Sequence, residues 1–376
     1  MNPRIALVTP VPSPHQMPLS KALFDIIGQR FTAVFTKPLG DERKALGWRD
    51  PDEEYPWVLS AWKSTTAQER LRELLLSSDA VVCGFDPADL IRQRIRAGRL
   101  TFRYMERPFK RGFLLGFPWW FNRLGRDFWP LDLANHHLLA TGAYCSRDFT
   151  RVRMFSQRQW KWGYFAHVAD TPPPARPDLP VNLLWAGRML DLKRVDLLLQ
   201  AARCLYLSGK RFSLTLIGDG PERSRLLRYS QRNKMQGYVT FHPPVLIGKV
   251  QEYMSSSHIY VLTSSYLEGW GVVINEAMAS GCCVVSSTGP GAAPWLIEPG
   301  RTGYLFRSGN LNELCSVLSP LIDNLSHCRE VGRNAWEKMR TLWSPEVAAE
   351  RLIRLISGLL GSEPVPDYSD GPCSRA

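Results

Sequence analysis

HIYVLTSSYLEGWGVVINEAMASGCCVVSS (258–287) places two short apolar runs on either side of a polar loop and an apolar stretch with helical spacing. The first run (258–263) and the last (282–287) are typical of buried strands, and the stretch between them (271–280) is typical of a helix that stops at Gly281. Strand, helix and strand in this order predict a parallel unit with a right-handed crossover.

The same alternation extends on both sides of this unit. Strands are predicted at 182–187, 212–218 and 238–242, with helices at 193–208, 221–235 and 249–257. The first half repeats it less regularly, with strands at 5–9, 31–36 and 79–84 and helices near 18–29 and 66–76. A proline-rich stretch, DTPPPARPDLP (170–180), separates the halves and is typical of a semi-rigid linker. The fold class is therefore α/β, with a parallel sheet covered on both faces in the second half and a βαβ unit at the start of the first.

Composition agrees with two folded domains. The chain has 376 residues, 44% of them hydrophobic, which is enough for two cores. Its net charge of +12 favours a phosphate-bearing partner: a nucleic acid, an anionic membrane surface or a diphosphate ligand. The eight cysteines show no metal-binding spacing, and neither a signal peptide nor a membrane-spanning apolar stretch is evident, so we expect a cytoplasmic protein.

Ligands of open parallel sheets bind at the carboxyl ends of the strands. Gly187 and Arg188 follow the first strand of the second half, and Lys193 begins the next helix. Two cations beside exposed backbone N–H groups suit a diphosphate, although a solvated loop would explain them too. Gly218 and Gly220 form a tight turn after the next strand, where backbone could approach a ligand.

Two carboxylates belong to the same edge. Glu268 lies in the loop after the strand at 258–263, and Glu276 lies inside the following helix. Carboxylates accept pairs of hydrogen bonds from hydroxyl groups, which is how sugars and ribose are held. The alternative is that Glu268 caps the helix and Glu276 lies on its solvated face. Gly289, in the small-residue loop at 287–294, offers backbone amides to phosphate at the same edge.

These motifs together resemble the retaining family 4 glycosyltransferases, which have the GT-B architecture of two Rossmann-like domains facing a cleft. The resemblance covers about 181–310 and rests on GRMLDLK (187–193), LIGDGPE (216–222), EGWGVVINEAMASGCCVV (268–285) and TGPGAAPWLIEPGRTGYLF (288–306). It implies that Arg188 and Lys193 hold the donor diphosphate, Glu268 the sugar and Glu276 the ribose. It also places Val245 near the nucleobase and Gly269, Trp270, Gly271 and Val272 around the donor.

The first half resembles the family less closely. Its first loop contains prolines and His15 where the family often has glycines, and VVCGFDP (81–87) has Asp86 but no histidine. RYMERPFKRG (103–112) resembles a segment of bacterial polysaccharide-assembly members, which makes Glu106 and Arg107 candidates for the substrate cleft or else a structural ion pair. The expected organisation is an acceptor domain (1–168), a nucleotide-sugar domain (181–344), a helix that crosses back (345–360) and a disordered tail (361–376).

The resemblance implies transfer of a sugar from a nucleotide diphosphate to a glycan or lipid-linked acceptor hydroxyl, without a cofactor. No metal is predicted, because Asp50 and Asp52 sit in a proline-bearing polar loop typical of a turn. An epimerase or phosphorylase of the same fold is the alternative. A nucleic-acid-binding role has only the charge in its favour and is not expected.

Arginines from 92 to 111 run into an aromatic stretch (112–131), which predicts a cationic face. Aromatic rings beside guanidinium groups suit an anionic membrane surface, here the inner face of a bacterial membrane, but also an ordinary core-covering segment.

Overall fold

The computed structural model describes residues 2–45, 47–51, 55–84, 87–173, 176 and 180–376. Asp52 and Asp86, considered above, lie outside these residues. The chain forms two compact units: Met1–Ala166 with Leu342–Ala376, and His167–Thr341. Each is built on its own parallel sheet, so the expected α/β class with two doubly wound domains is confirmed.

The first unit contains a seven-stranded sheet in the order β3-β2-β1-β4-β5-β6-β7. All of its pairings are parallel. Chain order reverses between β1 and β4, where strands added on opposite sides leave a crevice at their carboxyl ends. The strands are β1 (Ile5–Thr9), β2 (Phe31–Phe35), β3 (Val58–Ser60), β4 (Ala80–Cys83), β5 (Thr101–Glu106), β6 (His136–Thr141) and β7 (Gln159–Trp162).

Helices cover this sheet and bury its apolar strands. The residues of β1, β4 and β6 are buried throughout, as expected of central strands in a parallel sheet. The helices are α1 (Met17–Ile27), α2 (Asp41–Ala45), α3 (Thr65–Ser77), α4 (Ala88–Arg96), α5 (Phe113–Arg123) and α6 (Ala143–Arg151). Ser64 caps α3 by accepting a hydrogen bond from the Ala67 N–H.

The second unit contains a six-stranded parallel sheet in the order β10-β9-β8-β11-β12-β13. Its strands are β8 (Val181–Ala186), β9 (Phe212–Ile217), β10 (Val239–His242), β11 (Ile259–Leu262), β12 (Cys283–Ser287) and β13 (Tyr304–Phe306). Its helices are α7 (Val195–Leu207), α8 (Arg223–Arg232), α9 (Ile247–Ser256), α10 (Val273–Ala279), α11 (Ala293–Leu296), α12 (Leu311–Asp323) and α13 (Leu325–Leu342). The reversal of chain order falls between β8 and β11.

The last helix, α14 (Pro345–Leu359), belongs to the first unit and packs against α1. Ser344 caps it through the Val347 N–H, and Pro345 occupies its first turn.

The expectation that 361–376 is disordered is wrong. This segment extends over the edge strand β7, where Cys373 N–H donates to Lys161 O (2.9 Å) and Lys161 N–H donates to Ser374 O (2.8 Å). Cys373 is fully buried and the Arg375 guanidinium lies 4.1 Å from the Trp160 ring centroid. Polar composition did not reveal this, because backbone hydrogen bonds and a few buried side chains are sufficient to order a terminal segment.

The cationic face expected over 92–111 is also wrong in part. Arg94 is fully buried and donates to the carbonyls of Leu75 (2.6 Å) and Leu100 (2.8 Å). Arg103 is buried within β5 and donates to the Gly84 carbonyl. Five donors on one planar group allow a guanidinium to satisfy several carbonyls at once, so these two arginines stabilise the interior.

Candidate donor-binding site

Lys193 and Glu268 meet at the point in the second unit where chain order reverses. Lys193 ends a 3-10 turn (Asp191–Lys193) after β8, and Glu268 lies in the loop after β11. Lys193 Nζ lies 2.5 Å from Glu268 Oε2, and each side chain is less than one-fifth exposed. The two loops are thus joined by a partly buried ion pair.

Backbone contacts fix the positions of both loops. Thr263, at the end of β11, donates its hydroxyl to Lys193 O (2.8 Å), and Ser265 N–H donates to Leu192 O (2.8 Å). Within β11 itself, the Tyr260 hydroxyl donates to Ala186 O of the neighbouring strand β8 (3.0 Å). Sequence reasoning missed Thr263 and Tyr260, whose only signal was a polar group inside an otherwise apolar strand.

Gly218 and Gly220 allow the loop after β9 to contact the loop that carries Arg188. A Cβ at Gly218, where φ is +136°, would lie 1.9 Å from Gly187 O, and one at Gly220 would lie 2.6 Å from Met189 O. Met189 N–H donates to Asp219 O (2.7 Å) across the same contact. These glycines therefore allow the loop after β9 to approach the backbone of residues 187–189 closely. This contact sets the path of residues 187–189. Arg188 itself is exposed at this edge.

The loop after β12 packs on the loop after β11. Gly291 N–H donates to Gly269 O (2.8 Å), and a Cβ at Gly289 would lie 2.5 Å from Ser264 O. Gly271, with φ +83°, adopts a backbone conformation that other residues rarely take. The hydroxyls of Tyr266 and Thr288 join the rims of the two loops at 2.9 Å.

Trp270 is a buried anchor of this region. Its side chain is 1% exposed, its Nε1–H donates to Asn275 Oδ1 (2.7 Å), and its ring contacts Trp295 edge-on. Only the backbone of Trp270 is therefore available to a ligand. Val272 immediately precedes α10 and is half-buried, as is Val245 in the loop after β10.

Glu276 lies in the first turn of α10 and is half-buried. Burial raises the pKa of its carboxyl from 4.5 to about 7, because removal from water disfavours the charged form. Near neutral pH this carboxyl changes between a protonated form and a carboxylate. The strands β8 and β11 are neighbours in the second sheet. Arg188 and Lys193 follow the carboxyl end of β8, and Glu268 and Glu276 follow that of β11 in the next loop and helix.

His15, Glu106 and Arg107 belong to the first unit. His15 follows β1, and burial lowers the pKa of its imidazole to about 4, so the ring is neutral near pH 7. Glu106 ends β5 and accepts from Lys110 Nζ at 2.8 Å. Arg107 donates to both oxygens of the fully buried Asp148 (3.2 and 3.3 Å). Glu106 and Arg107 thus pair with other residues rather than with each other.

His136 and His137 are buried in β6. Burial lowers their pKa values to about 3 and about 4, so both rings are neutral near pH 7.

Each unit is thus a doubly wound parallel sheet, and charged loops lie at the switch point of the second sheet. Residues 180–324, all within the second unit, match the family model described as glycosyl transferases group 1.

Curated relatives match over about half of their length. D-inositol 3-phosphate glycosyltransferase of Paenarthrobacter aurescens is 29% identical over 192 residues, which cover 49% of this chain and 46% of that protein. The amylovoran biosynthesis glycosyltransferase AmsK of Erwinia amylovora is 27% identical over 188 residues, covering 48% of this chain and 45% of that protein. These relatives therefore leave about half of each protein unmatched.

Solved structures match across nearly the whole chain. Anabaena Alr3699/HepE, solved in complex with UDP, has a TM-score of 0.68 at 14% identity and covers 96% of this chain and 100% of its own. A glycosyltransferase from Rickettsia africae also has a TM-score of 0.68 at 14% identity, with 96% and 99% covered. At this identity the similarity shows the fold, which is GT-B.

Proposed function

We propose that the protein is a retaining glycosyltransferase that moves a sugar from a nucleotide diphosphate to an acceptor hydroxyl. The observation that carries this proposal is the meeting of Lys193 with Glu268 at the switch point of a glycosyl transferases group 1 domain. One loop supplies a cation for the diphosphate, and the other supplies a carboxylate that accepts hydrogen bonds from sugar hydroxyls.

The donor extends along this edge of the sheet. Arg188 and Lys193 bind the diphosphate, and Glu268 binds the sugar together with backbone groups at Gly269–Val272 and Gly289. Glu276 accepts hydrogen bonds from the ribose hydroxyls, and the loop containing Val245 borders the nucleobase. UDP is the first nucleotide to test, because it is present in the HepE structure.

In the transfer step, the bond between the anomeric carbon and the β-phosphate oxygen breaks while the acceptor oxygen bonds to the same face of the sugar. The acceptor proton passes to the departing phosphate. Negative charge grows on that phosphate, and fixed cations stabilise such charge more in the transition state than in the ground state. Arg188 and Lys193 perform this task.

We propose that the reaction requires no divalent metal, because two side-chain cations already serve the leaving diphosphate. Transfer should then persist in EDTA at the rate seen with added Mg²⁺ or Mn²⁺. Loss of transfer in EDTA that Mn²⁺ restores would contradict this part of the proposal.

The acceptor is a glycan or lipid-linked sugar of bacterial surface polysaccharide assembly, as the amylovoran and colanic acid glycosyltransferases among the relatives suggest. His15 and Glu106 are the first-unit residues proposed to bind it. Arg107 positions this region through Asp148.

The test begins with thermal unfolding in UDP, GDP, dTDP and ADP, since a ligand bound only by the folded chain raises its stability. Labelled sugar nucleotides of the stabilising base are then incubated with and without a lipid-linked oligosaccharide extract. Label transferred to the extract, with the anomeric configuration retained by proton NMR, supports the proposal. Sugar released or epimerised without any acceptor would instead indicate an epimerase or phosphorylase.

A further inference from the structure

Helix α5 presents an apolar face to solvent. Leu114 is 87% exposed, Leu115 76% and Phe121 50%, and Pro118 between them is exposed as well. At 100° per residue these four side chains lie on one side of the helix. Surface helices usually place polar residues on that side, so a contiguous apolar face of this kind marks a binding surface.

The opposite face fixes the orientation of α5. Trp120 is buried against Phe109 and Phe128, and Phe109 is fully buried. Gly116 lets the helix approach closely, because a Cβ there would lie 3.1 Å from the Phe109 ring. The apolar outer face is therefore held in place by an aromatic layer beneath it.

Cations stand at both ends of this face. Lys110 and Arg111 precede the helix, Arg123 ends it and Arg126 follows. Lys110 pairs with Glu106 (2.8 Å), and Asp127 lies 2.9 Å from Arg126 and 3.7 Å from Arg123, so four cations stand beside two carboxylates and a net positive charge remains. Trp129 is 39% exposed and packs edge-on against Phe121, with ring centroids 5.6 Å apart. Apolar side chains flanked by arginines and an aromatic ring match the depth profile of a lipid headgroup region.

A cavity of about 570 Å³ opens beside the helix. Its lining combines the basic residues Arg107, Lys110 and Arg111 with the apolar side chains of Leu115 and Trp120. A lipid phosphate and the first part of its acyl chains would meet both basic and apolar side chains there, with Arg107 also paired with Asp148 and Lys110 with Glu106.

We propose that α5 is an interfacial helix that binds the first unit to an anionic phospholipid surface. Leu114, Leu115 and Phe121 enter the headgroup boundary, and Arg111 contacts lipid phosphates. Arg123 and Arg126, which share the Asp127 carboxylate, add positive charge beside them. A second copy of the chain fits this face poorly, because a two-fold contact would bring the same cations opposite each other. None of the helices in the described part of the chain has the length and hydropathy of a membrane span.

The test is flotation of the full chain with vesicles of phosphatidylcholine alone or mixed with phosphatidylglycerol. The chain should float with the anionic vesicles, and raising the salt from 0.1 to 0.5 M should weaken binding several-fold. A Leu114→Ser/Leu115→Ser variant should bind roughly tenfold or more weakly, since two apolar anchors are lost. Its thermal midpoint should not change, because both side chains are exposed.

A Leu207→Ser/Leu246→Ser variant is the matched control, since these leucines are 68% and 58% exposed in the second unit. It should bind vesicles like the unmodified chain. The proposal would be overturned if the Leu114→Ser/Leu115→Ser variant bound vesicles as well as the unmodified chain, or if binding were the same with and without phosphatidylglycerol. The proposal would also be overturned if the unmodified chain were a dimer and the Leu114→Ser/Leu115→Ser variant were monomeric but bound vesicles equally well. Stabilisation by UDP is a separate readout, so the membrane proposal and the proposed function can fail independently.

Discussion

Lys193 and Glu268 form an ion pair of 2.5 Å between loops that follow different strands of the second sheet. The β8 and β11 strands are neighbours in space although α7, α8, α9 and two other strands lie between them in the chain. The pair therefore does two things: it holds the two loops together, and it presents a cation and a carboxylate side by side.

Breaking this pair should destabilise the second unit. Replacing Lys193 with Ala leaves a partly buried carboxylate without its cation, at a cost of about 1–2 kcal/mol. A Lys193→Ala/Glu268→Gln double variant should recover part of that loss, because both charges are gone. Urea unfolding of the two single variants and the double variant measures the coupling between them.

Lys249→Ala serves as the control, because Lys249 pairs with Glu252 on the exposed surface of α9. Its unfolding curve should overlay that of the unmodified chain. Strictly additive effects of the two changes at Lys193 and Glu268 would mean that the pair does not couple.

Removing the Arg188 side chain should impair transfer without destabilising the chain. Arg188 is exposed, so its loss leaves no cavity. Because it acts on charge that grows in the transition state, turnover should fall about 100-fold while donor affinity changes less. Steady-state kinetics of Arg188→Ala and of Arg232→Ala, which removes an exposed arginine from the end of α8, separate a specific effect from one of net charge. Undiminished transfer by Arg188→Ala would refute the assignment.

The buried Glu276 carboxyl predicts a pH dependence of stability. Its pKa is about 7 in the folded chain and 4.5 when exposed, so the folded state binds more protons between these values. The contribution of Glu276 to the free energy of unfolding is fully present below about pH 4.5 and is lost as the pH rises through 7. Glu276→Gln should therefore raise the free energy of unfolding at pH 8 by roughly 1–2 kcal/mol, and much less at pH 5.

Nucleotide affinity should also depend on the protonation of Glu276, but it should rise with pH, whereas the stability contribution of Glu276 falls. Ribose hydroxyls donate to the carboxylate form, so nucleotide affinity should rise between pH 6 and pH 8. Glu276→Gln should bind more weakly and lose most of this dependence in calorimetric titrations. A pH profile identical in the variant would show that another group is responsible.

Deleting 362–376 should destabilise the first unit. The deletion uncovers Trp160 and the edge of β7, and it removes the ion pair between Asp370 and Lys161 (2.6 Å). We expect the thermal midpoint to fall by roughly 5–10 °C. Asp367→Ala, an exposed position in the same segment, should leave it unchanged. Equal midpoints for the deletion and the full chain would mean that the segment contributes nothing to stability.

The second unit could be predicted well from residue 182 to residue 287, because each strand there is a short apolar run. Its later elements, α11, β13, α12 and α13, were not predicted. The strand expected at 212–218 is found at Phe212–Ile217, and the helix expected at 193–208 is found at Val195–Leu207. Gly281, expected to end a helix, has φ +69° just after α10. The ion pair between Lys193 and Glu268 could not be predicted, since loop side chains meet only after the strands are ordered.

The first unit was predicted less well because its strands contain residues that resemble surface positions. TFRYME, which forms β5, has Arg103 and Glu106, and HHLLAT, which forms β6, begins with two histidines. Arg103 is tolerated inside because its guanidinium reaches a backbone carbonyl, and the histidines because they are neutral. These partners come from distant parts of the chain, so no local pattern indicates them.

The chain order of the two units has a consequence for synthesis. The second unit is one continuous segment, whereas the first needs α14 against α1 and residues 373–376 along β7. On the ribosome, residues 167–341 can complete their contacts while the first unit still lacks α14 and residues 373–376. The amino-terminal unit, although made first, is therefore the later of the two to reach its finished form.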